Sequence, residues 1–557
     1  MFDMSKKPFY LNEKKQKWVK DKLDSMTVKE KAGQLFCLPI FGSIDDAISK
    51  YNELPFGAVM FRPNEGYLIR ECSLKMRKEL KIPPLVAANL ESGGSGIAFD
   101  GTLYGPQMQV AATNSYENGY ILGSICAKEA KALGVNWSFA PVVDIDYNWR
   151  NPITNVRTYG SDANKVLEYA RRYQKACLEN GIAVSLKHFP GDGVDERDQH
   201  IVASVNLLTT EQWDETYGKI YKTLIDEGAQ TVMAGHIMQP AYCKLINPDI
   251  RNRDIMPATL SYELITMLLR GKLGFNGLVV TDAANMVGMC GQMQRKKLVP
   301  ASINAGCDVF LFGKNAKEDY QYMLDAIENG ELSKERLDEA VSRILALKAH
   351  VGLDEEEELP DISIVGCKEH QKLARKCADQ SITLVKDTQN LLPVTPEKYK
   401  KVWLHILDEP GFTDSTTCEE VVIDELIKAG FEVIYDDKEE KKLSDTQIPI
   451  NKLKEKCDII MYFANIVNAS YKTTTRLKWS SPAAIDAPYY TEDIPTMFIS
   501  LSNPYHFVDV PNIKTIINSY SPSRIVVQET IKKIKGESKF KGVSPVDAFA
   551  GMWGKDI

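Results

Sequence analysis

Along the first 350 residues the hydrophobic pattern alternates between two periods. Short apolar runs recur at 57–61 (GAVMF), 85–88 (LVAA), 135–140 (VNWSFA), 182–186 (IAVSL), 230–234 (QTVMA), 277–280 (GLVV) and 307–312 (CDVFLF). Between them lie stretches with apolar residues at helical spacing, among them 116–133 and 163–180. Apolar runs of four to six residues read as buried strands, and strands that alternate with helices build a parallel sheet. The economical closure is a (β/α)8 TIM-like barrel with one irregular unit. Residues 12–36 carry two helical patterns, the second opening at Thr27 with Glu30 close behind, and read as a lid-like start without a strand.

The pattern changes after 353. Residues 333–353 predict a helix capped by Ser333 that completes the barrel domain, placed at 1–353. The acidic DEEEELP that follows reads as a solvated break, so the linker falls at 354–366. From 367 to 557 the alternation restarts on a smaller scale. Helices are expected at 368–384, 419–429 and 523–535, and strands at 401–407, 431–435, 458–463 and 496–501. This predicts a smaller three-layer α/β sandwich domain. No G-x-G-x-x-G follows its first strand, so a dinucleotide is not expected there. The DKEEKK run at 437–442 reads as exposed.

At 557 residues, 44% of them hydrophobic, the chain is long enough to bury two cores. A net charge of −7 with no basic stripe argues against nucleic acid or an anionic membrane as partner, and favours a neutral small molecule. The eleven cysteines are scattered through apolar contexts without a C-x-x-C pair, as in a reduced, cytoplasmic protein. The first twenty residues hold basic side chains but no apolar segment behind them, and no run is long enough to span a bilayer, so neither export signal nor membrane span is expected.

Barrel active sites gather at the C-terminal ends of the strands. Three of the seven histidines, His188, His200 and His236, fall at or just beyond such ends. The run at 182–186 opens into KHFPGDGVDERDQH, residues 187–200, where Pro190, Gly191 and Gly193 fix a tight path. Asp198 and His200 stand two apart, so in an extended segment both leave one face and the carboxylate can hold one imidazole nitrogen while the other faces outward. An aspartate orients a proton-transferring histidine in this way. The strand at 277–280 delivers Asp282 among small residues, a position suited either to touching a ligand or to capping a helix.

Together these two stretches resemble family 3 of the glycoside hydrolases, in its β-N-acetylglucosaminidase branch, whose signature is similar to K-H-F-P-G-x-G-x4-D-[ST]-H. Here it runs from Lys187 to Gly193 and then Asp198, Gln199 and His200. Residues 26–36 (MTVKEKAGQLF), 151–160 (NPITNVRTYG) and 273–282 (LGFNGLVVTD) also match, and the C-terminal part matches more loosely at 381–386 and 390–393. The resemblance implies a retaining, exo-acting β-glycoside hydrolase, most simply a β-N-acetylglucosaminidase, needing no cofactor and no metal. It makes Asp282 the nucleophile and His200 the general acid/base oriented by Asp198. Arg157, Lys187 and His188 would grip the sugar. His236, by its own place at a strand end, reads equally as a sugar contact or as a satisfied histidine of the core or behind the site. It also suggests turnover of cell-wall fragments or imported oligosaccharides in a bacterium, and a loop such as 471–476 (YKTTTR) lent to the active site by the second domain.

Three departures from the pattern stand out. Gln199 replaces Ser or Thr, and its side chain is expected to face away with little effect. Asn89 replaces a sugar-binding Asp in the segment NLESGG, which also has one residue added, so sugar recognition should differ. The second acidic residue often found after the nucleophile is missing from TDAA. A histidine acid/base carries one negative charge fewer than a carboxylate, so an anionic acceptor such as phosphate is repelled less and phosphorolysis stands beside hydrolysis. Two other classes compete: a metal-dependent barrel hydrolase using His188, His200, His236 and Asp282, which lacks an H-x-H or H-E-x-x-H, and a sugar-binding protein without turnover.

Overall fold

The computed structural model describes residues 2–41, 44–355, 358–409, 418–435, 447–472, 476–480 and 484–555. The DKEEKK run, residues 473–475 of the YKTTTR stretch, and residues 356 and 357 of the linker lie outside them. The chain divides into two compact units. One comprises residues 1–104, 119–148 and 163–371; the other takes 105–118, 149–162 and 372–557.

The first unit is an eight-stranded parallel α/β barrel. Its strands are β1 (Phe36–Ile40), β2 (Ala58–Phe61), β3 (Leu85–Ala88), β4 (Trp137–Ser138), β5 (Ala183–Phe189), β6 (Thr231–Ala234), β7 (Leu278–Thr281) and β8 (Phe310–Leu311). They pair in chain order from β1 to β7, and β8 returns to pair with β1 through Phe36 and Phe310. A bridge between Val280 and Val309 joins β7 to β8. All side chains of β2, β3, β5, β6 and β7 are buried, as expected of strands covered on one side by helices and on the other by the packed interior.

Among the barrel strands, sequence patterning leaves out β1. Helix Val28–Gln34 is capped by Thr27 with Glu30 in a reciprocal capping box and runs within two residues of it. Pro39 interrupts its apolar run, and proline is a poor sign of an interior strand. Residues 12–36 are therefore two helices and the opening residue of the barrel, not a lid. The helix expected at 333–353 spans Lys334–His350, with the Ser333 hydroxyl accepting from the Arg336 N–H.

Closure at β8 depends on a buried ion cluster. Asp308, fully buried, accepts from Arg270 Nη2 at 2.6 Å, Arg336 Nη2 at 2.8 Å and the Val279 N–H at 2.9 Å. Burial raises its carboxyl, and the three guanidinium groups of Arg270, Arg343 and Arg336 more than offset this, leaving it below its ordinary value.

The second unit is a six-stranded open sheet. Its strands are β9 (Thr383–Asp387), β10 (Lys401–Glu409), β11 (Glu432–Tyr435), β12 (Ile459–Ile466), β13 (Thr496–Ser500) and β14 (Thr515–Asn518), ordered β9-β14-β13-β12-β10-β11. Every pair is parallel except β9 with β14. Apolar clusters cover both faces, one around Val402, Leu404 and Met461, the other around Trp403, Tyr462 and Phe498, which alternation along β10 and β12 requires. The expected helix at 368–384 stops at Ser381, and its last residues belong instead to β9.

One buried amine yields a testable consequence. Lys348 is fully buried and its Nζ donates to Gln34 Oε1 at 2.6 Å. Burial lowers its pKa to about 7. Between that value and the unfolded value near ~10.4 the unfolded chain holds a proton the folded chain sheds, so stability rises with pH across this window. Lys348→Met should therefore stabilise the protein at pH 7 by on the order of 1–4 kcal/mol, with a gain that shrinks toward pH ~10. Thermal midpoints of both proteins across that range check it; a gain independent of pH would contradict it.

Candidate functional site

β5 places the central side chains, because alternate residues of a strand leave opposite faces and its last residues enter the loop at the barrel's C-terminal end. Lys187 and His188 are both buried. His188 is held by one carboxylate, Asp144, in the segment after β4. Its Nδ1 lies 2.6 Å from Asp144 Oδ2 and its N–H donates to Oδ1 at 3.0 Å. The same Oδ1 accepts from the Asp192 N–H at 2.7 Å, so Asp144 ties the end of β5 to the loop that follows. With Nδ1 engaged, His188 presents Nε2 toward Asp282, 3.9 Å from its Oδ2.

Lys187 points to the loop after β3. Its Nζ pairs with Glu91 Oε1 at 2.7 Å and donates to Asn89 Oδ1 at 3.4 Å. Asn89 thus stands beside a lysine that already has a carboxylate partner. Glu129, fully buried, accepts from the Thr102 N–H and hydroxyl and from His370 Nδ1.

Asp282 follows β7. Its N–H donates to the Ala234 carbonyl of β6 at 2.7 Å, and its Oδ1 accepts from the Ala283 N–H at 2.7 Å. The side chain keeps 14% of its surface exposed. Burial pushes its carboxyl up, while the imidazoles of His188, His236 and His200 and the Ala283 N–H pull it down further, so it stays below the ordinary carboxylate value. Asp282 is an anion at neutral pH in a pocket of histidines.

His200 comes from the far end of the same loop as His188. Asp198, buried, accepts from His200 Nδ1 at 2.7 Å and from the His200 N–H at 2.8 Å. The segment is not extended as expected: residues 199–201 form a turn in which the Asp198 carbonyl accepts from the Ile201 and Val202 N–H groups, and the Asp198 carboxylate meets the His200 ring within that turn, leaving Nε2 on the other side of the ring. The structure thus brings Lys187, His188, Asn89, Asp282, Asp198 and His200 into one end of the barrel.

The two remaining expected contacts are His236 and Arg157. His236 is fully buried, with Nδ1 3.0 Å from Thr259 Oγ1 and Nε2 3.0 Å from the Ala283 carbonyl. Burial lowers its pKa, and both nitrogens are engaged, so it stands behind the Asp282 turn and has none left for a sugar hydroxyl. Arg157 lies in the turn Asn155–Arg157 of the second unit, where its Nη1 donates to the Ile153 carbonyl. Trp137, near a strand end, is core: fully buried, it donates to Thr231 Oγ1 at 2.8 Å.

Two polar residues that sequence reading leaves without a role belong to the site. Asp144 stands in the sequence four residues beyond the apolar run at 135–140 and carries no other local signal. Gln199, expected to face away, is fully buried and bonds Asp192 and the His236 N–H. Among the described residues no group of three or more His, Cys, Asp or Glu side chains has the arrangement of a metal site, and no helix is long and apolar enough to cross a membrane.

Comparison with known proteins fits this geometry. The model of the glycosyl hydrolase family 3 N-terminal domain matches residues 27–347. A β-N-acetylglucosaminidase/β-glucosidase of Cellulomonas fimi is 41% identical over 99% of both chains. A solved β-glucoside phosphorylase, BglX bound to 2FGlc, is 42% identical over 99% of both chains with a TM-score of 0.94. A family 3 β-N-acetylglucosaminidase of a Paenibacillus species shares the fold, with a TM-score of 0.80 at 24% identity over 95% of this chain and all of that one. The chain belongs to glycosyl hydrolase family 3.

Proposed function

We propose that the protein cleaves terminal β-linked glucosyl or N-acetylglucosaminyl residues with retention of configuration. The supporting observation is the pairing of an ionised Asp282 with a histidine whose Nδ1 is held by Asp198. Asp282 attacks the anomeric carbon and forms a glycosyl ester, while His200 Nε2 gives its proton to the departing oxygen. His200, then neutral, takes a proton from the acceptor, whose oxygen displaces Asp282. Asp198 accepts a hydrogen bond from Nδ1–H throughout and steadies the imidazolium that donates in the first step and re-forms in the second. Lys187 and His188 hold sugar hydroxyls, Arg157 is a further sugar contact, and His236 supports the Asp282 turn.

A second reading concerns the acceptor. A carboxylate acid/base would place another negative charge where the acceptor enters; His200 does not, and inorganic phosphate can approach. The phosphorylase similar over its whole length supports this reading.

Nitrophenyl β-glycosides test the proposal. The glucoside or the N-acetylglucosaminide should be turned over, and Asp282→Asn should lose roughly 1,000-fold or more in kcat. Retained activity in that variant would refute the assignment. With phosphate present, phosphorolysis gives a glycosyl phosphate and a faster turnover; free sugar at an unchanged rate means water is the acceptor. Asn89→Asp restores the carboxylate of the family pattern beside Lys187 and should shift the kcat/KM ratio toward the N-acetylglucosaminide by roughly 10-fold. An unchanged ratio would remove Asn89 from sugar selection.

A further inference from the structure

Gln199 stands between Asp198 and His200, where the family pattern has Ser or Thr. Its side chain is fully buried and makes two hydrogen bonds in opposite directions. Nε2 donates to Asp192 Oδ2 at 3.0 Å, and Oε1 accepts from the His236 N–H at 2.9 Å. The amide orientation is forced, because a carboxylate can only accept here and a backbone N–H can only donate. A single hydroxyl, two atoms shorter, cannot span both partners.

Each partner leads to another part of the site. The Asp192 N–H donates to Asp144 Oδ1, and Asp144 Oδ2 holds His188 Nδ1. His236 Nε2 meets the Ala283 carbonyl, and the Ala283 N–H holds Asp282 Oδ1. The main chain is fastened as well: the Gln199 carbonyl accepts from the Gly288 N–H at 3.2 Å and the His200 carbonyl from the Val287 N–H at 3.0 Å. A Cβ on Gly288 would fall 2.3 Å from the Gln199 oxygen, so only glycine admits this approach.

We infer that Gln199 is a positioning residue: it pins the Asp198–His200 loop to the barrel at a fixed distance from Asp282, before any substrate arrives. The inference rests on the double-displacement reading given above. Buried amides with both ends satisfied hold a geometry far better than a loop with solvated side chains, since moving the loop would leave the Asp192 carboxylate and the His236 N–H short of a partner. What Gln199 fixes is the acid, not the nucleophile, because Asp282 keeps its own bonds to the Ala283 N–H and, through its N–H, to the Ala234 carbonyl.

The prediction is therefore selective. Cleaving an alkyl β-glycoside needs a proton on the leaving oxygen, while a dinitrophenyl glycoside departs without one. Gln199→Ser and Gln199→Met, the second filling the space without either bond, should lose roughly 10- to 100-fold in kcat/KM on the alkyl substrate. On the dinitrophenyl substrate they should stay within about threefold of the parent. Equal losses on both substrates, or no loss on either, would overturn the inference and leave Gln199 a packing residue at most. A parent enzyme that turns over neither substrate would instead overturn the double-displacement reading beneath it.

Discussion

One buried carboxylate, Asp144, carries the arrangement on which the chemistry depends. It accepts the His188 ring and backbone N–H groups and the Asp192 N–H. A charge in the barrel interior is costly unless hydrogen bonds surround it, and these bonds offset that cost only while the end of β5 and the 190–193 turn stay in place. The desolvated carboxylate therefore acts as a clamp. From it the loop runs to Asp198 and His200, and through Gln199 and His236 the clamp reaches the turn that presents Asp282.

The electrostatics of the pocket follow. Asp282 lies among three imidazoles and a backbone N–H, and these keep it ionised against the pull of burial. His236, engaged on both sides, contributes its bond to the Ala283 carbonyl and gives the turn a rigid backing. The His200 imidazole is held by a carboxylate of its own, Asp198. Asp282 and His200 thus stand on two loops, each fastened to the barrel by backbone and side-chain bonds.

The alternation of apolar runs and helical spacing made the barrel legible because buried parallel strands are short and uniformly apolar. β1 escaped because a capped helix leads straight into it and Pro39 breaks its run; β9 escaped because 381–386 continues the apolar spacing of the helix before it. In the site, Asp198 with His200 could be read from their spacing of two, a local relation. Asp144 meets His188 across 44 positions of sequence and Gln199 meets His236 across 37, and nothing local in the chain announces either pair. The same holds for His236, whose place at a strand end suggested a sugar contact while its partners, Thr259 and the Ala283 carbonyl, come from elements much later in the chain.

On the proposed function, Asp282 forms a covalent bond to the sugar. Incubation with an activated 2-deoxy-2-fluoro-β-glucoside slows both displacements but the second far more, so the intermediate accumulates and can be located by mass spectrometry of the digested protein. One fluoroglucosyl group per chain is expected, on the peptide that carries Asp282. Turnover without an adduct, or an adduct on any other carboxylate, would contradict it.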